Sequence, residues 1–313
     1  LDIVHAHYAV PHAISAFIAQ ATLTGSGKGG FGVVTTLHGT DITLTGRAPS
    51  FFPICQYAIN RSDAVTTVSQ WLRQETIDTF DIKRPIEVIP NFVDVSEFRR
   101  GLTPCKRAHF ARMGEKILLH VSNFRPVKRV ADVIRAFAQI KREVHSVLLM
   151  VGDGPERDAA QSLARELGLG DSVRFLGKQE SIEHFMSCAD VFLFPSEYES
   201  FGLAALEAMS CEVPVVSTNG GGLPEVIHHG KTGFTVPVGD VDAMARHAID
   251  VLRDAAMAAR IGAAARADVL AHYLPSQVIP QYEALYERVL HRASPVRPDP
   301  RARQLDLTYA DGI

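Results

Sequence analysis

The organisation of this chain is clearest in Pro195-Ser196-Glu197-Tyr198-Glu199-Ser200-Phe201-Gly202-Leu203-Ala204-Ala205-Leu206-Glu207-Ala208-Met209. It follows the apolar run Val191-Phe192-Leu193-Phe194, which has the composition of a buried strand. A loop with Glu199 and Ser200 then leads into a helix that starts near Gly202. The first N–H groups of such a helix lack an intrahelical partner and can hold an anion or a sugar hydroxyl. Glu207 lies two turns along, where a carboxylate can accept both hydroxyls of a ribose diol, while Glu199 faces a sugar ring. The plainer alternative is a capping acid and a surface acid.

On either side of this stretch, short β-branched runs alternate with longer helical patterns. Strands are predicted over 3–7, 33–37, 64–67 and 86–89, with helices over 13–21, 51–59 and 70–80 between them. The rhythm breaks after Pro90-Asn91-Phe92-Val93-Asp94. A second series then places strands over 116–121, 147–151, 172–176, 191–194, 213–217 and 233–236, with helices starting near Val130, Glu156, Ser181 and Gly202. Such alternation predicts βαβ units and parallel sheets. The second series has the length of a complete doubly wound Rossmann-type domain, and the first has about four strands where a full half would have about six. Helices over 241–252, 255–272 and 277–291 close the pattern.

The domain boundaries expected from these shifts are 1–98, a linker over 99–114, 115–275, and a helix over 276–292 that crosses back to the first domain. The segment 293–313, with Pro295, Pro298 and Pro300, has no apolar periodicity and is expected to be a disordered tail. The chain opens on Leu1-Asp2-Ile3-Val4-His5, as if a strand were under way, and the protein is expected to begin upstream.

Other strand ends carry candidate chemistry. His120-Val121-Ser122-Asn123-Phe124-Arg125-Pro126-Val127-Lys128-Arg129 places three cations within five residues, which suits a diphosphate or a solvated basic loop. Thr218-Asn219-Gly220-Gly221-Gly222-Leu223-Pro224-Glu225-Val226 lets backbone N–H groups approach phosphate oxygens, or is a flexible turn. Gly152-Asp153-Gly154-Pro155 is a turn at a strand end, near the expected nucleotide. Thr35-Thr36-Leu37-His38-Gly39-Thr40-Asp41-Ile42-Thr43 offers His38 as a general base or as a hydrogen-bonding wall of a sugar pocket, the second being preferred because no acid partner is evident. His5, His7 and His12 surround Tyr8, but alternation along a strand and the break at Pro11 make a shared metal the minor reading.

Several functions are excluded by composition. The 313 residues are 46% hydrophobic and 21% charged with net charge −3, so no global basic field recruits nucleic acid or an anionic membrane. No apolar run reaches the length of a transmembrane helix. There is no G-x-S-x-G, no Walker A sequence and no strand-placed G-x-G-x-x-G. Ser26-Gly27-Lys28-Gly29-Gly30-Phe31-Gly32 precedes a strand instead of following one and is read as a loose loop. Cys55, Cys105, Cys188 and Cys211 form no C-x-x-C pair, so neither a zinc knuckle nor a disulfide framework is expected, and a reducing cytoplasm fits.

As a set, the Glu199–Glu207 pair, Gly220 to Val226, Val151 to Pro155 and Lys128 resemble the retaining glycosyltransferases of family 4. The resemblance covers about residues 1 to 290. It implies an α/β GT-B fold of two Rossmann-like domains facing across a cleft, the first one truncated. Within the family, His5 to Ala13, Thr35 to Thr43 and Val121 to Arg129 are similar to the subgroup that transfers GlcNAc from UDP-GlcNAc to L-malate in bacillithiol biosynthesis. That subgroup carries Asn where Asn123 stands and other members generally carry Arg.

The resemblance assigns Lys128 and Asn123 to the donor diphosphate, and the guanidinium of Arg125 in the same loop suits that group as well. Glu199 would bind the GlcNAc ring, with Ser200, Phe201 and Gly202 offering backbone N–H groups. Glu207 would hold the ribose and His38 would contact the donor sugar. Tyr8 and Thr36 would line the malate pocket. Lys128, Glu199 and His38 form the expected catalytic group. No metal or other cofactor is implied, and a homodimer is. The family's first strand and glycine loop, roughly 80 residues or more, have no counterpart in the sequence. Alternatives that share the fold are a transferase with another acceptor, a UDP-GlcNAc 2-epimerase and a non-catalytic sugar-nucleotide binder.

Overall fold

The computed structural model describes residues 1–26, 30–101 and 107–293. Positions 27–29 of the Ser26–Gly32 loop, 102–106 of the expected linker and the expected tail from 294 lie outside the described residues.

The first part of the chain runs β1 (Ile3–His7), α1 (Ile14–Gly25), β2 (Gly32–Leu37), α2 (Thr40–Thr43), α3 (Phe52–Arg61), β3 (Ala64–Thr67), α4 (Gln70–Phe80) and β4 (Glu87–Val88). All pairings in this sheet are parallel, in the order β1-β2-β3-β4. A turn of π-helix over Ala9–Ala13 joins β1 to α1. The Asp41 carboxylate holds this turn by accepting the Ala9 N–H at 2.9 Å.

The second part runs α5 (Arg107–Phe110), β5 (Lys116–Val121), α6 (Val130–Glu143), β6 (Ser146–Val151), α7 (Arg157–Glu166), β7 (Val173–Gly177), α8 (Glu183–Cys188) and β8 (Val191–Phe194). It continues with α9 (Leu203–Ser210), β9 (Val215–Thr218), α10 (Leu223–Val226), β10 (Gly233–Val236), α11 (Val241–Arg253), α12 (Ala255–His272) and α13 (Pro275–Ala293). Its sheet is parallel in the order β10-β9-β8-β5-β6-β7. Read from the β7 edge and counted in chain order, this is the 3-2-1-4-5-6 order of a Rossmann sheet. The order reverses between β5 and β8, so the loops after these two strands flank the crevice where such folds bind ligands.

The helices form where one face is apolar at helical spacing. In α6, Val130, Val133, Ile134, Phe137 and Ile140 are buried, the i, i+3, i+4 stripe of a helix laid on a sheet. Met244, Ala248, Ile249 and Leu252 of α11 share that core. Side-chain caps mark several starts. Ser69 accepts the Leu72 N–H at 3.1 Å, and Asp240 accepts the Ala243 N–H at 2.9 Å, each satisfying an N–H that the helix itself cannot.

Helix α13 packs on the first sheet, where Val278, Leu285 and Val289 bury against Val34 and Ile89. Cys55 and Cys211 are free and buried. Cys188 is disulfide-bonded, which corrects the expectation that the cysteines form no crosslink. Among the described residues no helix is long and apolar enough to cross a membrane.

Candidate active site

A cleft of about 230 Å³ lies between the strand ends of the two sheets. From the first domain it is lined by Tyr8, His38, Thr40, Thr43 and Leu44 among others, and from the second by Asn123, Arg125, Lys128 and the run Tyr198 to Leu203. The loops after β1, β2, β5 and β8 therefore converge on one space.

Lys128 and Glu199 form the centre of the second-domain wall. The Lys128 ammonium is paired with Glu199 Oε1, and the two side chains are 19% and 13% exposed. Ser196 Oγ donates to the same oxygen at 2.7 Å. The ammonium also sits 5.8 Å from the centre of the Phe194 ring. Removing either partner would leave a poorly solvated charge. The pair spans the switch point, since Lys128 follows β5 and Glu199 follows β8.

The loop that carries Glu199 is held by the three glycines. Gly221 pairs with Glu199 as an isolated parallel bridge, and the Gly222 N–H donates to Glu199 O at 2.7 Å. A Cβ on Gly220, Gly221 or Gly222 would stand 2.0, 2.2 or 2.5 Å from the carbonyl oxygens of Glu197, Glu199 and Ser200. The run thus serves backbone-to-backbone packing against the Glu199 loop. The sequence offers either N–H groups for phosphate oxygens or a flexible turn; the Gly222 N–H instead goes to the Glu199 carbonyl. Gly154 likewise backs onto the Asn123 carbonyl, where a Cβ would stand 2.1 Å away.

The basic loop divides. Arg125 and Lys128 line the cleft. Arg129 does not: its Nε donates to Asp132 at 2.6 Å, at the start of α6, so two of the three cations serve the cleft. Gly202, at φ 91°, precedes α9, and with Leu203 it brings the helix's opening N–H groups to the cleft wall. Phe201 is buried and meets Tyr273 edge-on. Glu207 stands off the cleft lining, half-buried one turn into α9. Burial first, and the Glu97 carboxylate second, push its carboxyl up to about 7.

On the first-domain wall, His38 lines the cleft with its ring 5.0 Å from Tyr8. Burial and the neighbouring His7 push the His38 imidazole down to about 4, so it is neutral at pH 7. Tyr8 is held at φ 77°, ψ 138°, a region a side chain rarely occupies. Thr36 is a correction. It is fully buried, and its hydroxyl contacts His5 Nε2 at 2.7 Å and Thr66 Oγ1 at 2.6 Å, so it supports the wall from behind. His5, His7 and His12 do not form a metal site. His12 Nδ1 bonds the His7 carbonyl oxygen, and among the described residues no group of three His, Cys, Asp or Glu converges to hold an ion.

Several contributors were not singled out in the sequence. Buried Asp41 accepts the N–H groups of Ala9 and Gly39 at 2.9 and 3.0 Å, tying the Tyr8 turn to the His38 loop. Buried His120 bonds the Leu193 carbonyl and Ser122 Oγ at 2.9 and 2.8 Å, joining β5 to β8. Glu225 of α10 accepts the Gln70 and Trp71 N–H groups at 2.9 and 2.7 Å, capping α4 from the other domain. Trp71 and Tyr198 stack 6.3 Å apart beside this contact. Only Asp41 carried a sequence signal, an acid within a hydroxyl-rich strand-end loop.

The chain matches the family model described as glycosyl transferases group 1 over residues 105–268, and that described as glycosyltransferase family 4 over residues 1–97. The chain belongs to the family 4 glycosyltransferases and is a hexosyltransferase of the GT-B fold. It is similar, at 44% identity over 291 residues, to the N-acetyl-alpha-D-glucosaminyl L-malate synthase of Bacillus anthracis, covering 93% of this chain and 75% of that protein. A GDP-mannose-dependent alpha-(1-6)-phosphatidylinositol monomannoside mannosyltransferase of Mycobacterium tuberculosis is 30% identical, over 81% of this chain and 68% of its own. Among solved structures, sucrose-phosphate synthase from Thermosynechococcus elongatus aligns with a TM-score of 0.79 at 26% identity, covering 93% of this chain and 74% of that one. Anabaena HepE, at 22% identity, shares the fold with a TM-score of 0.80 over 92% of this chain and 78% of its own.

Proposed function

We propose that this protein transfers GlcNAc from UDP-GlcNAc to the hydroxyl of L-malate with retention of configuration, the first step of bacillithiol biosynthesis. The observation that carries the reading is the 44% identity, over nearly the whole chain, to a synthase named for this product. Asn123, the residue that separates the malate subgroup from its relatives in the sequence, lines the cleft.

In this reading the diphosphate meets Lys128, Arg125, Asn123 and the N–H groups at the start of α9. Lys128 has three donors and spends one on Glu199, so phosphate oxygens can take the others. Glu199, fixed by Lys128 and Ser196, receives hydroxyls of the GlcNAc ring, with Ser200, Phe201 and Gly202 beside it. The family resemblance gives the ribose to Glu207, which lies one turn deeper along α9 than the residues that line the cleft. Neutral His38 contacts the sugar from the opposite wall, and Tyr8 borders the malate. As the glycosidic bond to UDP breaks, negative charge grows on the leaving phosphate oxygen. Fixed cations there stabilise the transition state more than the ground state. That oxygen takes the proton of the malate hydroxyl attacking from the same face. Two cations and helix N–H groups give the charge a counterpart without a metal ion.

Incubation with UDP-GlcNAc and L-malate, followed by mass spectrometry, tests this. GlcNAc-malate with stoichiometric UDP is expected. UDP released without that product would discard the acceptor, and free ManNAc would replace transfer by epimerisation.

A further inference from the structure

Three imidazoles form a column along the ends of β1 and β2. The His5 and His7 rings stack with centroids 4.5 Å apart and planes 23° from parallel. The His7 and His38 rings follow at 5.0 Å and 25°. His7 Nδ1 and His38 Nε2 are 2.7 Å apart and share a hydrogen bond. The far end is anchored: His5 Nδ1 meets the Tyr286 hydroxyl of α13 at 2.7 Å, and His5 Nε2 meets Thr36 Oγ1 at 2.7 Å. Only His38 of the three lines the cleft.

We propose that His7 is the positioning residue of His38, binding His38 Nε2 so that the ring presents Nδ1 alone to the ligand in the cleft. The proposal rests on the reading of His38 as a contact to the donor sugar. Its content is a coupling of tautomers. When His7 carries the shared proton, His38 Nε2 accepts it, and a neutral His38 then bears its own proton on Nδ1 and donates to the ligand. When His38 carries the proton on Nε2, its Nδ1 accepts from the ligand. A sugar hydroxyl satisfies either state, so the contact survives the swap as long as the pair holds no extra proton.

The surroundings keep that extra proton out. Burial, then His7 and His38, hold His5 down to about 4, and burial lowers His7 as well. The other titratable groups beside the column are Tyr8, whose ring meets His38, His12, which faces Tyr8 and acts on His7, and Asp41 on α2. Across the cleft stand Arg125, Lys128 and Glu199. Asp41 and Glu199 are already engaged by backbone N–H groups and by Lys128.

The test compares the wild type with His7→Phe, His7→Gln and His38→Ala, with circular dichroism confirming the fold of each. Steady-state transfer to malate is followed from pH 5 to 9. His7→Phe keeps a stacked ring and removes the hydrogen bond, while His7→Gln restores a hydrogen-bonding group. His7→Phe is expected to lose about tenfold in donor kcat/KM, the worth of one such bond, with the malate KM unchanged. Its acid limb should move to higher pH, because His38 loses a like-charged neighbour. His7→Gln should recover most of the loss. Wild-type kinetics in His7→Phe while His38→Ala is impaired would overturn the positioning role and leave the His38 reading standing. A His7→Phe loss with an unmoved acid limb and no recovery in His7→Gln would also overturn it. Wild-type kinetics in His38→Ala would overturn the reading of His38 itself. If the wild type makes no GlcNAc-malate, calorimetric UDP-GlcNAc binding replaces kinetics, and His7→Phe should bind about tenfold more weakly. Unchanged binding there would reject the proposal.

Discussion

A Cβ built on Gly39 would stand 1.6 Å from Ser200 Oγ and 2.9 Å from Ser200 Cβ. The loop after β2 and the loop after β8 thus meet across the cleft with no room for a side chain. Gly39 is also held at φ 113°, beside the Asp41 carboxylate that accepts its N–H.

Gly39→Ala should therefore hold the two walls apart. The strain at positive φ costs about 1–2 kcal/mol in the fold, and the wedge should lower kcat/KM by about tenfold or more by displacing His38 from Glu199. Thermal denaturation and transfer kinetics read the two effects separately. Wild-type activity in this variant would mean that the approach seen here is not the working arrangement.

Glu225→Ala removes a cap that crosses between domains. The N–H groups of Gln70 and Trp71 lose their acceptor, which should cost about 1 kcal/mol. Because the cap belongs to the other domain, small-angle scattering should show a larger radius of gyration than the wild type. An unchanged radius and melting temperature would reduce the contact to an exposed, water-replaceable bond.

Lys128→Met keeps the stem of the side chain and deletes its charge. Loss of a charge-stabilising donor at the leaving group should cut kcat by about 10²–10³-fold, with the malate KM little altered. Chelator should leave the wild-type rate unchanged. Activity surviving Lys128→Met, or abolished by chelator, would place the charge stabilisation elsewhere.

Glu207 gives a signed pH dependence. Its folded value, about 7, lies above the ordinary 4.5, so the folded state binds more protons than the unfolded state between those values. Its contribution to stability is full below pH 4.5 and is lost as pH rises to about 7. Glu207→Gln should erase this loss, so the variant gains stability relative to the wild type as pH rises from 4.5 to 7. Denaturant titrations at several pH values measure it. A constant difference across the window would contradict the raised value.

Much of the fold was legible along the chain because it is written locally. Period-2 and period-3.6 patterns mark strands and helices, and the strand-end positions of Asn123, Lys128, Glu199 and His38 follow from that alternation. These residues line one cleft because parallel strands deliver all their following loops to one edge of a sheet. Arg129 and Thr36 turn away from the cleft for a related reason. A residue at a strand end can turn toward the cleft or toward the scaffold, and neighbours distant in sequence choose between them.

The alternation of elements, the α/β class and the loops that could carry chemistry are readable along the chain, since they depend on residues within a few positions of one another. Which partners those loops find is settled by folding. It paired Lys128 with Glu199 across 71 positions and the Glu225 carboxylate with the α4 N-terminus across 155. It also set Gly220 to Gly222 against the Glu199 loop and stacked His7 on His38. These choices turn on ångström-scale approach and shared burial, and such distances exist only after the chain has closed on itself.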